Sequence, residues 1–221
     1  MLASYSGKRD IVNYFYEKDI LVAQRSGNLF EEAMVYNGLG YNHCSGEDYK
    51  SAHYYFNQAM KIFHQLGLCD YIIETFYNMA INAIMAEEYE NATTYLEKTL
   101  YLLKINKKNS LRVCNISKAI GMIALSTFYQ GRIYSSRNYL VKDGQFLDYI
   151  IEDDHDSNKN YLWDDDLFLY FICQALLCNY NGKYEEAIEI YERAEVYMNR
   201  SQGNYFFAYP QFCMAKQYTL Q

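Results

Sequence analysis

A chain of 221 residues that is 51% hydrophobic can build a continuous core, and one proline leaves few helix breakers. A net charge of −7 and a pI near 5.1 argue against broad affinity for nucleic-acid phosphates, so no nucleic-acid partner is expected. No stretch approaches eighteen uncharged apolar residues, and Lys8, Arg9, Asp10, Glu17, Lys18 and Asp19 interrupt the N-terminal segment, so neither a membrane span nor a signal peptide is predicted.

Taken in chain order, the predicted elements are helices. Gly7-Lys8-Arg9-Asp10-Ile11-Val12, with Tyr16 four residues on, has the form of a turn and the second helix of a hairpin whose first helix is missing. A first helix then carries Tyr36, Leu39, Gly40 and His43, and a turn is expected at Gly46, Glu47 and Asp48. The second helix carries Tyr49, Ala52, Phe56 and Ala59. Spacings of three and four place these residues on one face of each helix. Gly40 and Ala52 have little or no side chain, so the two helices are expected to approach closely there. The next unit repeats this with Phe76, Met79, Ala80 and Ala83, a turn at Glu87, Glu88 and Tyr89, then Ala92, Leu96 and Thr99. A third, less regular unit has Ile120, Ile123, Ala124, Thr127, Gly131, Ile133, Ser136 and Leu140. A polar, acidic loop from Glu152 to Asp166 precedes the fourth, which has Phe171, Ala175 and Cys178, then Ala187, Tyr191 and Ala194, with Gly182 as a C-cap. Pro210, Met214, Ala215 and Tyr218 fit the start of a further first helix.

Small residues mark the repeat. Gly40/Ala52, Ala80/Ala92, Ala124/Ser136 and Ala175/Ala187 are each separated by twelve (52−40, 92−80, 136−124, 187−175), whereas the gaps between pairs are 28, 32 and 39 (80−52, 124−92, 175−136). A fixed inner and a variable outer distance is what a repeated helical hairpin produces. The chain begins and stops within a hairpin, which predicts a fragment of a longer polypeptide.

The Tyr49–Ala59 and Gly182–Ala194 segments carry a pattern that resembles the tetratricopeptide repeat family, over nearly the whole chain. The period is 40 rather than the family's usual 34, implying longer helices. Gln174, Thr99, Asp143 and Ser136 depart from the family's residue types. The resemblance implies an all-α fold, a right-handed superhelical solenoid of about ten helices in a single domain over 1–221. It also implies the sensing or docking part of a bacterial, cytoplasmic signalling regulator. In that family the first helices line a concave surface. The corresponding stripe here comprises Asn37, Tyr41 and Cys44; Tyr77, Ile81 and Ile84 with Asn78 and Asn82 beside them; Lys118, Leu125 and Phe128; and Ile172, Leu176 and Asn179. Asparagine amides can both donate to and accept from a peptide backbone, and aromatic rings add contact with few rotamers to freeze. Peptide or protein binding is therefore expected, through Asn37, Tyr41, Tyr77, Asn78, Ile81, Asn82, Lys118, Phe128, Ile172 and Asn179. The competing reading is that these apolar side chains only pack on neighbouring helices.

Catalytic and metal sites are not expected. Asp154-x-Asp156-x-Asn158-x-Asn160 has the opening of a calcium loop but Lys159 where the glycine belongs. The histidines 43, 53, 64 and 155 show no ligand spacing, and His43 and Cys44, being adjacent, point apart on a helix. Gly38-x-Gly40 lacks the third glycine of a dinucleotide loop and reads as helix packing. No cofactor is implied. The six cysteines, without a Cys-x-x-Cys pair, read as small buried hydrophobes in a reducing compartment. Three function classes stay open: a binding module, a self-association segment that joins two copies, and an enzyme with an unrecognised site.

Overall fold

The computed structural model describes residues 2–105, 112–142 and 164–200. Among them every regular element is a helix: α1 Leu2–Ser26, α2 Leu29–Ser45, α3 Tyr49–Leu66, α4 Cys69–Met85, α5 Tyr89–Ile105, α6 Arg112–Tyr129, α7 (described over 133–142), α8 Asp164–Tyr180 and α9 Tyr184–Arg200. Within each unit neighbouring helices pack against one another, α1 to α4 in the first and α6, α8 and α9 in the second, as an all-α helical repeat requires. The chain forms two compact units, Met1–Tyr95 and Leu96–Gln221, divided within α5. Of the loop expected from Glu152 to Asp166, residues 152–163 lie outside the described residues, as does the segment around Pro210, whereas Asp164–Asp166 open α8 and are helical.

One turn design is used at the six turns among the described residues. At Gly27, Glu47, Gly67, Glu87, Gly131 and Gly182 the backbone enters the left-handed region, with φ between +60° and +74°. Each of these N–H groups donates to the carbonyl three residues back, and the next N–H donates to the carbonyl five residues before it. In the first turn these are Gly27 to Gln24 and Asn28 to Ala23; in the last they are Gly182 to Asn179 and Lys183 to Cys178. This paired bonding satisfies carbonyls that a helix end leaves unmade. The expectation of Gly182 as a C-cap is met. At the Gly46-Glu47-Asp48 turn, however, Gly46 keeps an ordinary φ of −93° and Glu47 takes the left-handed position.

In the first unit α2, α3, α4 and α5 start at residues 29, 49, 69 and 89. The structural period is thus a single helix and turn of 20 residues (49−29, 69−49, 89−69), two of which make the 40-residue sequence repeat. Asp48 caps α3 by accepting from the Ser51 N–H at 3.2 Å, and Asn28 caps α2 in the same way from Glu31. The Gly7–Asp10 stretch, expected as a turn, lies inside α1, which runs unbroken to Ser26. The glycine alone did not interrupt the helix, consistent with its cost of about 1 kcal/mol.

A Cβ on Gly40 would stand 2.5 Å from the Phe56 ring, so the missing side chain lets that ring of α3 lie against α2. Phe56 and Ala52 are both buried. Gly38 faces the other way, where a Cβ would meet the Tyr16 ring of α1 at 3.0 Å. Two positions apart on a helix, the two glycines serve opposite neighbours. Part-buried amide pairs link the helices further. Asn42 donates to Asn13 at 2.6 Å between α2 and α1, and Asn78 donates to Asn37 at 3.3 Å between α4 and α2.

The second unit keeps the same logic with different residues. Ser136, where the pattern favours alanine, is fully buried and donates to the Ala124 carbonyl at 2.8 Å, so its hydroxyl ties α7 to α6. Residues 119–127 of α6 are all buried, so this helix is covered around its whole circumference. Its Ser126 and Thr127 hydroxyls bond back to the Met122 and Ile123 carbonyls, so these two buried donors are satisfied within the helix. Against α6, α8 packs through Cys173, whose thiol lies 3.6 Å from the Gly121 carbonyl. The α8/α9 hairpin closes with Phe171 stacked on Tyr197 and capped by the Arg193 guanidinium 4.4 Å from the ring centre.

Candidate interaction surface

The expected stripe divides into residues that the fold consumes and residues that it leaves partly open. Ile172 is fully buried, as are Leu125 and Ile84, while Leu176 and Cys44 are nearly so; at these positions the side chains pack on neighbouring helices. Asn37 is buried and accepts from Asn78. Asn82 is buried and donates to the Tyr49 carbonyl at 3.0 Å. Asn179 donates to the Tyr191 hydroxyl at 3.3 Å. These amides were expected to meet a peptide backbone; in the structure they meet other helices of their own unit. A buried amide without a partner costs about 1–3 kcal/mol, so a position between two helices is filled from within the fold.

Tyr41, Tyr77 and Ile81 in the first unit, and Lys118 and Phe128 in the second, remain half-exposed. Phe128 meets Tyr180 edge-on at 6.5 Å, and Tyr180 is itself exposed. Tyr41 on α2 and Tyr77 and Ile81 on α4 belong to helices that touch each other, with Asn37 and Asn78 as the bridge between them.

A second surface was not singled out from the sequence. Along α1, Asn13, Tyr16, Ile20 and Ala23 turn toward α2, where Tyr16 lies over Gly38 and Asn13 accepts from Asn42. On the opposite side Ile11, Phe15 and Val22 share one stripe, and they are 59%, 60% and 62% exposed. Tyr14 extends this stripe, with the Lys18 ammonium 5.3 Å from its ring centre. The helix is therefore apolar on two faces and covered on one. Its sequence signal is the apolar set at 11, 15 and 22, which lies on one side of a helix.

The chemistry of the described residues is quiet. Burial pushes the Cys44 thiol up to about 12, so it stays protonated and inert. Cys173 and Cys178 are buried as well, and Cys69 is half-exposed; all four are free thiols. His43 does not share a ligand with Cys44. Its Nδ1 lies 3.1 Å from Asp48, and its ring stacks on Tyr55 at 5.2 Å. Hydrogen bonding from Ser51, and then the neighbouring His43, hold the Asp48 carboxyl below its ordinary range. No group of three or more metal-ligating side chains converges among the described residues, and no described helix is long and apolar enough to cross a membrane. Compared with known proteins, the chain matches no protein-family model and no curated protein.

Proposed function

We propose that this chain is a non-catalytic module of the tetratricopeptide kind that binds a protein or peptide, serving as the sensing or docking part of a cytoplasmic signalling protein. The observation that carries the reading is the uncovered stripe of Ile11, Phe15 and Val22 on a helix whose other face is already packed. In a helical repeat each helix is stabilised by the next one stacked on it, so such a stripe suits an amphipathic helix of a partner. Large apolar side chains exposed on one side of a helix, here with Lys18 and Asp19 between Phe15 and Val22, suit a partner that pairs apolar and charged groups. The half-exposed Tyr41, Tyr77 and Ile81 offer a second contact area in the same unit. Four buried or half-buried free thiols fit a reducing compartment.

The same stripe also favours a second reading, in which two copies of the chain join through α1. Light scattering across concentrations, combined with selection of helical peptides from a displayed library, separates the two. A partner-binding module stays monomeric and selects peptides with a recurring apolar spacing. Their binding should fall at least tenfold in a Phe15→Asp, Val22→Asp variant of unchanged helicity. A concentration-dependent dimer abolished by that variant would favour self-association. A monomer whose selected peptides bind the variant equally well would remove α1 as the docking face.

A further inference from the structure

At one end of α3, α4 and α5 the first unit holds an open cleft of about 370 Å³. Because α3 and α5 run in the same direction, both contribute their first turns, while α4 contributes its last. Lys50 and His53 of α3 form one wall, and Glu88, just before α5, and Asn91 of α5 form the other. Tyr49 and Tyr95 are also part of the lining, with the Tyr95 ring 6.4 Å from that of His53. Asn82 belongs to the floor.

Three features of this cleft point to a ligand with two ends. The walls are of opposite sign, and Lys50 has no ion-pair partner among the described residues. Glu88 is held in place by Asn91, which donates to its Oε2 at 2.9 Å, leaving its second oxygen available to an N–H donor. At the floor, Asn82 spends an amide N–H on the Tyr49 carbonyl at 3.0 Å, and its Oδ1 is buried with no donor among the described residues. A buried acceptor of this kind is stabilised by any N–H brought to it. A carboxylate beside Lys50 would gain from the ammonium, the N-terminus of α3 being already capped by Asp48. An ammonium beside Glu88 would gain from the carboxylate. The volume lies at the small end of the roughly 300–1,000 Å³ typical of ligand sites.

We infer that this cleft binds a small zwitterion, an α-amino acid or dipeptide with free termini, its carboxylate toward Lys50 and its ammonium toward Glu88. The site is separate from the α1 stripe, so it stands or falls independently of the docking role. Calorimetry and ¹H–¹⁵N spectra of the full chain with L-Ala-L-Ala and L-Ala-L-Phe test it. Each is compared with its N-acetylated and its C-amidated form. The free dipeptides should bind saturably and shift the side-chain amide signals of Asn82 and Asn91, and either cap should weaken binding at least tenfold. Lys50→Gln should erase the difference between acid and amide, and Glu88→Gln the difference between amine and acetyl. Both residues are exposed, so circular dichroism of the variants should match that of the parent. Absence of saturable binding by both dipeptides, binding indifferent to both caps, or shifts confined to other residues would overturn the assignment.

Discussion

Replacing Glu47 by glycine should stabilise the protein, although it deletes a side chain. Glu47 holds φ at +65°, and Glu87 at the matching place in the next turn holds +60°. A residue with a Cβ in the left-handed region costs about 1–2 kcal/mol. Glycine avoids that cost but is freer in the unfolded chain, which returns about 0.5–1 kcal/mol. The difference predicts a gain of about 0.5–1 kcal/mol for Glu47→Gly, and the same for Glu87→Gly. The reverse exchange supplies the control. No heavy atom lies within 4 Å of the Cβ position at Gly67 or Gly182, so Gly182→Ala changes backbone strain without adding a clash. It should lose about 0.5–1 kcal/mol by the same arithmetic. Urea denaturation followed by circular dichroism reads both as midpoint shifts of opposite sign with unchanged slope. In a chain of this size about 1 kcal/mol moves the melting temperature by about 2–4 °C. A lower midpoint for Glu47→Gly, or no change for Gly182→Ala, would refute the argument that these turns store left-handed strain.

Gly40→Ala should cost about 1–3 kcal/mol, because its Cβ would press on the buried Phe56 ring, and Phe56→Leu in the same chain should recover part of the loss. Gly38→Ala should cost less, since the nearest atom it meets is the Tyr16 hydroxyl, the far end of a side chain that can shift; thermal melts of the three variants rank the effects. The Asp48 cap should make the first unit acid-sensitive. Its folded pKa lies below the ordinary carboxylate value, so the contribution is full above that value and is lost as pH falls through the depressed one. Asp48→Asn keeps a side-chain oxygen for the Ser51 N–H but does not titrate, so the acid limb of a stability-versus-pH curve should flatten; an unchanged limb would place the acid sensitivity elsewhere.

What the sequence by itself determined is the kind of element and the way elements pair. Apolar residues three and four apart, few breakers and small residues twelve apart are local properties of the chain, and they fix helices that fold back on their predecessors. Gly182 as a C-cap and Gly40 as a place of close contact were legible for the same reason: a missing Cβ acts where it stands. The tertiary structure alone decided which faces stay open. Whether Asn37, Asn78 and Asn82 reach a ligand or another helix depends on what lies across from them, and that residue is about 40 positions away in sequence (78−37) or about 30 (82−49). Ile172 and Leu125 have the apolar character of a groove residue and of a core residue alike; only the helices around them chose the core. The left-handed turn at Glu47 was likewise hidden behind Gly46, because the register of a turn is set by the two helices it joins. Side-chain chemistry is written residue by residue, but burial belongs to the pair of surfaces that meet.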